Sequence, residues 1–161
     1  MHTPSFKRAG SPPNESIDRT VFDQILELDE DDEIFSKEMV DAYFVQADKT
    51  FNSMDAALCV FAVSSASSLM GSSASRARKD LAELSSLGHF LKGSSAALGV
   101  SKVQSSCENI QHFGQLREGS AFITEAEAIG KITKSIAHAR EEYADAKTWL
   151  EWFYANPSAE D

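Results

Sequence analysis

The sequence predicts an all-α protein: four main helices in an antiparallel bundle, with a short extra N-terminal helix across one end. Three observations carry this expectation. Apolar residues recur at steps of three and four along several stretches, the spacing of one helix face. No run shows the period-two alternation of a half-buried strand. Residues that stop and start helices, Gly99 and Thr124 among them, fall between the periodic stretches.

Composition bounds the reading. A chain of 161 residues favours one domain, and a hydrophobic content of 42% is enough to build its core. Lys and Arg number 15 against 25 Asp and Glu, for a net charge of −10. That balance argues against a nucleic-acid partner, whose phosphates want a basic face. Cys59 and Cys107 make no metal spacing and are too few for a disulfide framework, which points to a reducing compartment. Residues 1–20 lack the apolar core of a signal peptide. The longest apolar-leaning run, Ala56 to Val63, is too short to span a bilayer, so no membrane partner is expected.

Taken in order, residues 1–16 hold Pro4, Gly10, Pro12 and Pro13 with no periodic pattern and read as a disordered tail. Thr20 is the expected cap of the short first helix, with Asp23 in its first turn. Val21, Phe22, Ile25, Leu26 and Leu28 supply its apolar positions. The acidic run 29–33 reads as a solvated linker whose charge favours the next helix N-terminus, and it lacks the spacing of an EF-hand loop.

The second helix is expected from about Ile34 towards Leu58. Val40, Phe44, Ala47, Phe51, Met54 and Leu58 lie within about 40° of one line and form its core stripe. Phe35, Met39 and Gln46 share another line about 100–140° away. That second stripe would cover the first helix or serve as a docking surface. Residues 59–78 break the pattern. They are rich in serine, lack acidic residues, and read as an atypical insertion peripheral to the rest. About twenty residues is long for a connection inside a bundle, where two to eight is usual. The stretch is a genuine loop or a translated intervening sequence, with its apolar start extending the second helix by a turn or two.

The third helix should run from about Lys79 to Leu98, with Leu84, Leu87, Leu91 and Leu98 inward and Gly99 as its stop. Ser101-Lys102-Val103-Gln104 reads as a capping box opening a fourth helix with Val103, Cys107, Ile110 and Phe113 inward. Gln111 lies beside that stripe and Gly114 ends it. Gly119 and Ser120 mark a loop. Thr124 to Glu127 is a second capping box. It opens a long last helix with Ile129, Ile132, Ile136, Ala139, Tyr143, Ala146, Leu150 and Phe153 on a seam that suits a left-handed bundle. Pro157 ends it, leaving 17–156 as the domain and 157–161 as a tail.

One stretch of the third helix does not read as structure alone. His89 lands opposite the leucine stripe, among Ala82, Ser85, Ser86, Lys92, Gly93 and Ala96. Gly93 costs a helix interior roughly 1 kcal/mol against alanine. An exposed imidazole with a cation three residues on and a glycine a turn away suits a nucleophile that something large approaches. On periodicity alone, a solvated histidine above a close helix–helix contact remains equally open.

The run from His89 to Gly99 closely resembles the phosphorylation-site helix of histidine-containing phosphotransfer (HPt) domains, most of all the fungal multistep phosphorelay type. The histidine, Lys92, Gly93, the paired Ser94 and Ser95, and the closing Leu98-Gly99 match together. Phe35-Ser36-Lys37, Gln46-Ala47 and Cys107-Glu108-Asn109-Ile110-Gln111 also have counterparts. The resemblance implies a phosphocarrier. His89 would accept a phosphoryl group from the aspartate of a hybrid histidine kinase receiver domain and pass it to response-regulator receiver domains. Lys92 would neutralise phosphoryl oxygens as a point charge, Gly93 would keep the approach open, and Ser94 would hydrogen-bond nearby. Gln111 would hold the ring or a phosphoryl oxygen.

Carried across, the docking patch is Val21, Ile25, Phe35, Met39, Gln46 and Phe90. No cofactor is implied on this chain; Mg²⁺ is expected on the partner receiver. The resemblance further implies a monomer in cytoplasm and nucleus that serves stress signalling such as the osmotic response. Two departures stand out: residues 59–78, and Gln115 where the family often has a basic residue, with Arg117 as a possible substitute. The chain has no G-x-G-x-x-G, P-loop or kinase glycine box, so no autonomous kinase or phosphatase is expected. His2, His112 and His138 form no metal-ligand set. A rival reading is a non-catalytic helical adaptor that binds through the Phe35/Met39 groove and leaves His89 inert.

Overall fold

Helical periodicity becomes five α-helices among the described residues of the computed structural model, which describes residues 15–29, 34–66 and 73–156. They are α1 (Arg19–Leu26), α2 (Phe35–Ala66), α3 (Ser73–Ala97), α4 (Ser101–Gly114) and α5 (Glu125–Ala155). Residues 1–14 of the expected tail at 1–16, the tail at 157–161, residues 30–33 of the acidic run and residues 67–72 lie outside the described residues.

Helices α2 to α5 form the antiparallel bundle. Tyr43 and Gln46 of α2 meet Ser95 and Ser94 of α3. Ser106 of α4 meets Glu142 of α5, and Tyr143 of α5 donates to the Phe44 carbonyl of α2. The core holds most of the predicted stripes, with Phe44, Leu58, Leu87, Phe113 and Ile129 only partly buried at its edge. Val40, Ala47, Phe51 and Met54 of α2, Leu84, Leu91 and Leu98 of α3, Val103, Cys107 and Ile110 of α4, and Ile132, Ile136, Ala139 and Leu150 of α5 are all buried. Tyr43 and Trp149 join them, although neither lies on the expected lines. Helix α1 crosses one end. Phe22 is fully buried and meets Trp149, Phe153 and Tyr154 edge-on at 5.3–6.4 Å.

Several local expectations are corrected. Asp18, not Thr20, caps α1: its carboxylate accepts from the Thr20 amide at 2.9 Å. Ser16, expected in the tail, is instead tied to the domain: it is buried and its carbonyl accepts from the Ser101 amide at 3.1 Å. That bond also explains why the Ser101 capping box does not form. Ser101 lies inside the first turn of α4, the N-cap is Val100, and no side chain caps it. The fourfold signal at Thr124 is real: Thr124 Oγ1 accepts from the Glu127 amide and Glu127 accepts from the Thr124 amide.

Residues 59–78 are not a twenty-residue loop. Helix α2 continues to Ala66 and α3 begins at Ser73. Ala77 is buried, and Arg78 pairs with Glu125 of α5 at 3.6 Å. Among the described side chains of this stretch only Ala77 is buried, and Val60 and Val63 stand exposed, so the added turns of α2 run on past the packed core. The loop at Gly119 is a miniature hairpin in which Arg117–Glu118 pairs antiparallel with Ala121–Phe122, and Gly119 takes φ +59° at its turn.

Candidate functional site

Helix α3 sets out the site by its rotation. With Leu84, Leu91 and Leu98 buried, His89 is exposed, Phe90 is half-exposed at 54%, and Gly93 faces outward. A Cβ on Gly93 would meet nothing within 4 Å, so the surface above the turn after His89 is open.

Gly88 does the opposite. A Cβ there would lie 2.9 Å from the Cys107 carbonyl oxygen and 3.0 Å from the Gln111 amide nitrogen. The backbones of α3 and α4 therefore touch at the residue before His89. This contact sets Glu108 and Gln111 beside the histidine turn. Lys92 Nζ reaches Glu108 Oε1 at 3.6 Å. Ser85 donates to the Gln111 carbonyl at 2.9 Å. Gln111 Oε1 is buried and has no hydrogen-bond partner among the described residues. A buried amide oxygen without a partner is costly, and Gln111 sits on the turn of α4 that packs against Gly88.

The α2 side is tied on by two polar contacts. Gln46 Nε2 donates to Ser94 Oγ at 2.7 Å, and Ser94 Oγ donates in turn to the Phe90 carbonyl at 3.1 Å. Beneath them the Tyr43 and Ser95 hydroxyls lie 3.0 Å apart in the core. Burial pushes the Tyr43 phenol well above its ordinary value, against the pull of the Ser95 bond. Burial, with Glu142 nearby, pushes the Cys107 thiol up to about 12. Both groups stay neutral and act as packing.

The expected docking residues divide. Phe35 is 45% exposed, while Met39 and Val21 are half-buried. Ile25 is a correction: at 7% exposure it packs into the core on the inner face of α1 and presents little surface. Phe35 is held by a node that the sequence reading took for a diffuse charged linker. Asp29 accepts from the Ser36 amide at 2.7 Å and from the Ser36 hydroxyl at 2.5 Å, and Tyr154 OH donates to Ser36 Oγ at 2.7 Å. The node joins the α1–α2 connection, the start of α2 and the end of α5. Arg117 lies on the hairpin with its guanidinium 5.3 Å from the Phe122 ring centre.

Sequence reasoning missed Gly88 and Glu108. The signal for Gly88 was a second glycine five residues from Gly93, hence on another face of the same helix. Glu108 gave none by spacing, because its partner is on a different helix.

The Hpt domain family model matches residues 38–147, a span that takes in the histidine helix and both helices packed against it. The chain belongs to the Hpt domain family. Among relatives of this Hpt chain, multistep phosphorelay regulator 1 of Schizosaccharomyces pombe is 42% identical over 147 residues, covering 89% of this chain and 44% of that protein. The phosphorelay intermediate protein YPD1 of Candida albicans is 40% identical over 98 residues, covering 61% of this chain and 44% of that protein. The chain thus spans about half the length of these curated relatives. Among solved structures, Saccharomyces cerevisiae histidine phosphotransfer signaling protein Ypd1, crystallised with the receiver domain of its downstream response regulator Ssk1, is 30% identical with a TM-score of 0.68. The match covers 90% of this chain and 98% of that one. No helix among the described residues is long and apolar enough to cross a membrane.

Proposed function

We propose that this chain is a phosphorelay intermediate: His89 takes a phosphoryl group from the aspartate of a hybrid histidine kinase receiver domain and gives it to the aspartate of a response-regulator receiver domain. The observation that carries the reading is the exposed His89 between Lys92 and the open surface over Gly93. The relatives' names and the Ypd1 complex with a receiver domain support the same partner class.

In the forward step a neutral imidazole nitrogen attacks phosphorus. An N–P bond forms as the O–P bond to the receiver aspartate breaks, and that carboxylate leaves with the electron pair. The second ring nitrogen keeps its proton. Catalysis of this kind is largely positioning and charge stabilisation. Lys92 supplies a cation one turn from the nucleophile, Gly93 leaves room for the receiver, and Gln111 Oε1 is free to accept from the ring N–H. Ser94, held by Gln46, keeps the α2 flank of the site in place. Phe35, Phe90, Met39 and Val21 provide an apolar docking rim. The divalent ion that shields the phosphoryl group belongs to the receiver. Movement between cytoplasm and nucleus, and service in a stress response such as osmotic adaptation, complete the proposal.

The test is to mix the chain with a receiver domain phosphorylated on aspartate and look for acid-labile phosphate on it. Transfer supports the phosphocarrier. Binding without transfer supports the adaptor instead.

A further inference from the structure

Lys92, the cation nearest His89 along the helix, already has a partner. Its Nζ lies 3.6 Å from Glu108 Oε1, with the two side chains 25% and 52% exposed. The pair bridges α3 and α4 at the level where Gly88 lets the two backbones touch, so the distance between the helices is set by contact and not by the pair itself. His89 and Lys92 are three residues apart, which puts their side chains on neighbouring positions of one face. A phosphoryl group on His89 therefore stands within reach of Lys92, with the Glu108 carboxylate just beyond.

We propose that Glu108 is a positioning residue that acts through Lys92 and keeps phospho-His89 from becoming too stable; the inference rests on the phosphotransfer reading above. In the unphosphorylated chain Glu108 holds the ammonium beside the site. Exposed ion pairs are weak and exchangeable, so an arriving phosphoryl group, with close to two negative charges, draws Lys92 away. Glu108 then competes for the same ammonium. The competition raises the free energy of the phosphorylated state and favours release of the group to the next aspartate. A carrier that bound its phosphoryl group without a competitor would be a sink.

The experiment measures the equilibrium fraction of phospho-His89 against a phosphorylated receiver for wild type, Glu108→Gln, Glu108→Asp, Lys92→Ala and the Glu108→Gln/Lys92→Ala double variant. Glu108→Gln should raise the equilibrium constant for phospho-His89 about two- to fivefold, the span of an exposed ion pair. Glu108→Asp should return it towards wild type. In the Lys92→Ala background the Glu108→Gln effect should fall to less than half, a coupling that a merely structural residue would not show. Thermal melting of Glu108→Gln should match wild type. An unchanged equilibrium in Glu108→Gln, or an equal shift with and without Lys92, overturns the proposal while leaving phosphotransfer intact. Absence of phosphate on wild type overturns the phosphotransfer reading instead, and the role of Glu108 with it.

Discussion

A Cβ on Gly88 would stand 2.9 Å from the carbonyl oxygen of Cys107, closer than such atoms approach in real structures. Five residues on, on another face of the helix, Gly93 faces open space. Gly88→Ala should therefore push α3 from α4 and cost about 1–3 kcal/mol, the usual range for overpacking. Gly93→Ala should stabilise the chain by up to about 1 kcal/mol through helix propensity. Gly93→Gln should fold well and fail to accept phosphate, because its side chain fills the approach. Urea melts and transfer assays on the three variants check this; equal stability losses at both glycines would contradict it.

Phe35 and Phe51 share a helix but not a role. Phe51 is fully buried and Phe35 is 45% exposed. Phe51→Ala should lose about 3–5 kcal/mol of stability. Phe35→Ala should melt near wild type and weaken receiver binding by about 1–3 kcal/mol. Met39, half-buried against the core, should show a smaller share of both effects. Calorimetric melting beside receiver titration separates the two kinds of loss.

The two thiols should differ sharply. Cys59 is exposed and Cys107 is buried, with the thiol of Cys107 pushed up from 9.0 to about 12 by burial and by Glu142. At pH 8 a thiol reagent should label one cysteine of the native chain and both in denaturant, since the thiolate is the reactive form. The sign for stability follows from linkage. A raised folded value favours the neutral thiol, so its contribution is complete below about pH 9 and declines as pH climbs towards 12. Cys107→Ala should flatten that alkaline decline. Rapid native labelling of both thiols would contradict the burial.

Strong periodicity made most of the bundle legible. The stripes through Phe51, Leu91, Ile110 and Ile136 were readable because burial imposes a helical period on the sequence. The Thr124 capping box was readable because both halves lie within four residues. Asp29, Ser101 and Gly88 were not, because tertiary neighbours decide them. Asp29 caps α2 from seven residues away. Ser101 gives its amide to Ser16. Gly88 matters only where α4 crosses it. At the site, the sequence resemblance marked His89, Lys92, Gly93, Ser94 and Gln111, but not Glu108 and not the burial of Ile25.

The serine-rich stretch offers a larger test. Tyr43 opposite Ser95 and Gln46 opposite Ser94 fix the antiparallel register of α2 and α3. In that register, deleting 59–78 shortens both helices to about the same level. The deleted chain should fold and accept phosphate, since the cut lies far along α3 from His89. It should also melt below the full chain, having lost buried Ala77 and the Arg78–Glu125 pair. Failure to fold would show that the distal turns are needed for the bundle itself.

The most direct measurement is to map acid-labile phosphate on wild type and His89→Gln after each is mixed with a phosphorylated receiver domain. The prediction is one phosphoryl group on the wild type, located at His89, and none on the variant, with both proteins binding the receiver and melting alike. Phosphate on His89→Gln, or phosphate on wild type at His112 or His138, would contradict the account.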